Sequence, residues 1–123
     1  MTTKALLLTT FVAELSIGIA LLTVPTLVAA ALLGGTLEGV AAVLLARLAG
    51  IALIAIGVTC FFARNAQGPA TSGIVTGVLT YNAAVSLLLM QSALEGVRCP
   101  ALWPAVAFHL LMATWCLMRL RGA

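Results

Sequence analysis

The chain has 123 residues, 63% of them hydrophobic and only 7% charged, with a formal net charge of +3. A soluble domain carries roughly a quarter charged residues, so there is too little polar surface to cover a water-soluble globule, in keeping with a mean hydropathy of +1.24. The composition therefore excludes a soluble globule and points to a single all-α integral membrane domain over residues 1–123. The six basic residues are dispersed and form no nucleic-acid patch.

The first apolar segment runs over about 5–33, long enough for the roughly 20 residues that cross a bilayer as a helix. Lys4 precedes it and Ala29-Ala30-Ala31 lies near its end, the pattern of a secretory signal. Its length and the acidic Glu14 inside it favour a retained first helix. Thr10, Glu14, Gly18 and Leu21 share one face, with Pro25 a turn further on. Gly34-Gly35 and Glu38 punctuate the first break.

The second segment covers about 40–63, and Arg47, Gly50, Ile54 and Gly57 align along it. The run Arg64-Asn65-Ala66-Gln67-Gly68-Pro69 ends it. The third segment covers about 71–94, opens with Gly73-xxx-Gly77, and continues through Tyr81, Asn82 and Ser86. The glycine face is expected to serve packing within the chain. After Glu95 to Pro100, the fourth segment covers about 102–120, with Trp103 at its start and His109, Ala113 and Cys116 on one face.

Connections this short make neighbouring helices antiparallel, giving an up-down four-helix transmembrane bundle. Lys4, Arg64, Arg119 and Arg121 fall on one side, and Glu38, Glu95 and Arg98 on the other. The positive-inside rule then puts both termini in the cytoplasm of a bacterial inner-membrane protein, with Trp103 anchoring the outer interface.

At about 1.5 Å of rise per residue, Glu14, Arg47, Asn82 and His109 all lie near the bilayer midplane, one from each helix. An ionisable side chain at that depth costs about 2.5–3.5 kcal/mol on insertion scales. The sequence therefore predicts that these residues face inward, with a Glu14–Arg47 ion pair extended by Asn82 and His109. Thr10, Tyr81 and Ser86 are candidate lining residues. A purely structural polar lock is the competing reading, since interhelical polar contacts also specify register. No metal site is expected, because Arg47 would repel a cation beside Glu14 and His109. The three cysteines form no CxxC pair.

The Ala13-Glu14 pair in helix one, with four spans and this size, resembles the small multidrug resistance transporters. That resemblance implies a membrane-embedded glutamate exchanging protons for cationic drugs. Arg47 departs from the pattern, since a nearby arginine holds a carboxylate ionised. The run Arg47-Leu48-Ala49-Gly50, followed by Gly57, resembles the DoxX-like and uncharacterised four-helix bacterial membrane proteins, which implies a fold more than an activity.

The leading expectation is a non-enzymatic binding protein for an amphipathic small molecule (a quinone, a lipid or a pigment), or an accessory subunit of a membrane complex. Arg47 and His109 would donate to a carbonyl or anionic headgroup, with Glu14 orienting Arg47. The alternatives are a dimeric proton-coupled transporter centred on Glu14 and a membrane isomerase using Glu14 and His109 as acid and base. No cofactor is specified by any motif, and the oligomeric state is left open.

Overall fold

The computed structural model describes residues 2–122, leaving Met1 and Ala123 of the single expected domain outside. These residues form five helices: α1 (Thr3–Thr23), α2 (Pro25–Leu33), α3 (Gly39–Ala63), α4 (Pro69–Leu94) and α5 (Leu102–Arg121). No strand occurs among the described residues. Helices α1, α3, α4 and α5 are each long and apolar enough to cross a membrane.

The first apolar segment is thus two helices rather than one. Pro25 lacks the N–H that would continue the ladder, and its ring disfavours helical geometry at the residue before it. Val24 accordingly sits at φ −131° and ψ 54°, and Pro25 begins α2. Gly34 closes α2 in a left-handed conformation at φ 72°, where a side chain would be strained.

The helices associate as two close pairs, α1 with α3 and α4 with α5, with fewer contacts between the pairs. Glycines set the first pair. A Cβ on Gly18 would lie 2.7 Å from the Gly50 carbonyl oxygen, and a Cβ on Gly50 would lie 2.7 Å from that of Gly18. A Cβ on Gly57 would lie 3.2 Å from the Phe11 carbonyl oxygen. Contacts therefore step back along α1 as they step forward along α3.

Gly73 and Gly77 behave differently. Both are exposed, and a Cβ on either would meet nothing within 4 Å. The expectation that this face packs within the chain is corrected: close backbone approach uses Gly18, Gly50 and Gly57 instead.

Two apolar clusters fill the interior. One gathers Leu6 and Leu7 of α1 with Cys60, Val75, Val78, Met112 and Cys116. The other joins Leu89, Leu102 and Val106. Polar ties connect the helix pairs at both ends. Cys99 Sγ donates to the Leu32 carbonyl at 2.6 Å, and Arg119 Nε donates to Thr3 Oγ1 at 3.0 Å.

Candidate functional site

Glu14 is 2% exposed, in the middle of α1 where it faces α4. Its partner is Tyr81, whose hydroxyl donates to Glu14 Oε2 at 3.2 Å. This is the one hydrogen bond across the middle of the two helix pairs among those between described side chains. Gly57 of α3 also comes close to Glu14, its Cβ position lying 3.6 Å from Glu14 Cβ.

Arg47 is not part of this arrangement. It is exposed on α3, and no ion pair joins it to Glu14 among the described residues. Gly50 and Gly57 are buried and Ile54 is half-buried, so their shared face does turn inward. Three residues of helix amount to about 300° of rotation, which leaves Arg47 about 60° from Gly50. The register also separates the pair along the axis: Gly57 lies beside Glu14, and Arg47 is ten residues, about 15 Å, further along α3, level with the far part of α1 around Leu21. The predicted Glu14–Arg47 pair is replaced by Glu14–Tyr81.

Asn82 and His109 do meet. Asn82 is 1% exposed, its Nδ2 donates to the Val78 carbonyl at 2.8 Å, and its Oδ1 lies 2.8 Å from His109 Nδ1. The chemistry of these contacts fixes the tautomer of a neutral imidazole. A carbonyl can only accept, so the amide nitrogen must face Val78 and the amide oxygen must face the histidine. His109 Nδ1 then carries the proton, and Nε2 is left with a lone pair. The ring also meets Tyr81 and Phe108 edge-on, with centroids 5.7 and 5.5 Å away.

Glu14, Tyr81 and His109 line a cavity of about 390 Å³ between the two helix pairs. Its remaining wall is apolar: Ala13, Ile17 and Leu21 of α1, Val28 and Leu32 of α2, Leu53 of α3, and Val85, Leu89, Ala105 and Phe108 of α4 and α5. The three polar residues occur at mid-helix, and the apolar wall continues toward the end that holds the Gly34 and Cys99 turns. From Tyr81 to Leu89 that is about 12 Å along α4. The volume falls within the range of small-molecule sites, about 300–1,000 Å³.

Thr10 and Ser86, expected as lining residues, are buried outside this wall. Their hydroxyls donate to the Leu6 and Ala83 carbonyls of their own helices at 3.1 and 2.9 Å. The contribution of α2 was missed by the sequence reading. Pro25 carried the signal, because a break there redirects Val28 and Leu32 toward α5 rather than continuing α1. No three His, Cys, Asp or Glu side chains converge among the described residues.

As a recognition surface, the polar end is rich in acceptors. His109 Nε2, the Glu14 oxygen not bonded to Tyr81 and the Tyr81 hydroxyl oxygen all offer lone pairs. Comparison with known proteins finds no matching family model, no matching curated protein and no matching solved structure.

Proposed function

We propose that the chain is a multi-pass membrane protein of four antiparallel spans whose central cavity binds an apolar small molecule bearing one hydrogen-bond donor, a hydroxyl or a protonated amine. The single observation that carries this reading is an apolar cavity whose only polar residues, Glu14, Tyr81 and His109, sit together at one end. The donor group would lie at mid-membrane between Glu14 and His109, and the tail would follow α2 and α4 toward the outer leaflet. Lys4, Arg64, Arg119 and Arg121 favour an inner-membrane orientation with cytoplasmic termini. Such a protein acts as a carrier or sensor of its ligand, or as an accessory subunit of a membrane complex.

The donor requirement departs from the expected quinone-type carbonyl, since Arg47 no longer supplies a donor and His109 Nδ1 is taken by Asn82. Native mass spectrometry with decanol, decylamine and methyl octyl ketone tests it, as the three share an apolar chain and differ in the head. The alcohol or the amine should bind, and Glu14→Gln or His109→Phe should weaken it. Equal retention of the ketone would refute the donor requirement, and retention of none would refute the binding function.

A second reading, proton-coupled transport of a cationic amphiphile, is favoured because Glu14 has no cationic partner among the described residues. The objection from Arg47 lapses once that residue lies on the exposed face. In proteoliposomes, substrate-driven proton release that survives Glu14→Gln would eliminate it.

A further inference from the structure

The central cavity is polar at one end only, and its apolar end is closed by side chains that α2 brings there. Pro25 separates α2 from α1, and Val28 and Leu32, one turn apart on α2, both face the cavity. Leu32 also packs against the cluster of Leu89, Leu102 and Val106. Leu89 is itself part of the cavity wall, and all three cluster residues are buried. The space behind Leu32 and Leu89 is therefore filled with close-packed side chains.

Two hydrogen bonds hold α2 in this position. Cys99 Sγ donates to the Leu32 carbonyl at 2.6 Å, and the Ala101 N–H donates to the Ala31 carbonyl at 3.4 Å. Both carbonyls belong to the last turn of α2, where N–H partners within the helix run out. The segment before α5 supplies the donors instead, so the wall is tied to the rest of the fold at the point where a ligand tail would press on it.

A fixed head and a closed end set a length. From Tyr81 to Leu89 the cavity follows eight residues of α4, about 12 Å. An extended alkyl chain advances about 1.3 Å per carbon, so about nine or ten carbons fill that distance. A longer tail must push Leu32 or Leu89 into the packed cluster behind them, and overpacking of this kind is costly.

We propose that the cavity measures the tail of its ligand and selects medium-length alkyl chains of about nine or ten carbons, with Leu32 and Leu89 as the stop. The proposal rests on the reading of this cavity as the site for an apolar molecule with a donor head, and adds the length of the tail to that reading.

Native mass spectrometry of the protein in maltoside micelles tests it, with n-alkanols and n-alkylamines from hexyl to hexadecyl supplied at equal mole fraction in the micelle. Equal mole fraction cancels the general gain that each methylene makes on leaving water. Retention is expected up to the decyl compound and should fall about tenfold by the tetradecyl one. Leu32→Ala removes three carbons from the stop and should move the fall to tails longer by about two or three carbons. Leu89→Ala, on the facing helix, should do the same, so the outcome does not depend on the folding of one variant. Leu48→Ala, on the exposed face of α3, should leave the cut-off where it is. Glu14→Gln should weaken every length alike, which separates the head from the tail. Undiminished retention up to the hexadecyl compound, a cut-off that neither Leu32→Ala nor Leu89→Ala moves, or an equal shift in Leu48→Ala would overturn the proposal while leaving the donor-binding reading in place. Retention of no member of either series would overturn both.

Discussion

Replacing Gly50 with alanine should pry the α1–α3 pair apart. The added methyl would sit 2.7 Å from the Gly18 carbonyl oxygen, 3.0 Å from Leu21 Cβ and 3.1 Å from the Leu22 nitrogen. Ordinary contact begins near 3.4 Å, so the shortfall against backbone is about 0.7 Å. Backbone at a helix seam cannot yield as a side-chain tip does, and the two helices must separate by a similar distance. Overpacking of this kind costs about 1–3 kcal/mol. Titration of the detergent-solubilised protein with sodium dodecyl sulfate, followed by circular dichroism, reads that loss directly. Gly77→Ala is the matched control, since a methyl there meets nothing within 4 Å, and it should fall within about 0.5 kcal/mol of wild type. Gly18→Ala should resemble Gly50→Ala, and the double variant should cost less than the sum, because the first methyl already opens the seam for the second. A Gly50→Ala protein as stable as wild type, or a Gly77→Ala protein equally destabilised, would refute this account of the packing.

Further outcomes concern the polar layer. Tyr81→Phe removes the bond between the helix pairs and should cost about 0.6–1.7 kcal/mol in the same titration; no loss would mean that Glu14 and Tyr81 do not hold the pairs together. Nitrogen-15 NMR of labelled histidine should show neutral His109 with its proton on Nδ1, and Asn82→Leu should give a mixture of tautomers. A wild-type Nε2–H signal would contradict the assigned network. Arg47→Leu should leave affinity for the central-cavity ligand unchanged while Glu14→Gln weakens it, as measured by native mass spectrometry. Equal losses would return Arg47 to the site.

Much of this organisation was legible in the sequence. The second, third and fourth apolar runs match α3, α4 and α5 to within a few residues, because long hydrophobic stretches and Gly/Pro punctuation are local features, whereas the first run is divided at Pro25 into α1 and α2. The placing of Glu14, Asn82 and His109 near one level also follows from residue counting along helices of fixed rise, but Arg47, counted to the same level, is not there: Gly57 lies beside Glu14, and Arg47 is about 15 Å further along α3. Rotation about each axis was less legible. In a helix that is apolar all round, no polar face distinguishes the side facing lipid from the side facing protein. Arg47 was therefore assigned the same face as Gly50 and a pairing with Glu14, whereas the α1–α3 register sets Gly57 beside Glu14 and leaves Arg47 exposed about 15 Å further along α3.

By itself, then, the amino-acid sequence determined that four helices are long and apolar enough to cross a membrane, and where most of the turns between them fall. Only the tertiary structure decided which polar groups meet, that Glu14 is joined by Tyr81 rather than Arg47, and that α2 turns at Pro25 to wall a cavity. It also decided which glycines matter, since Gly73-xxx-Gly77 and the pair Gly50 and Gly57 read alike as small-residue patterns. The physical reason is the same in each case. Helix length and turns are set by local geometry and by the apolar character of consecutive residues, whereas register and pairing depend on fractions of an ångström of complementarity between helices distant in the chain.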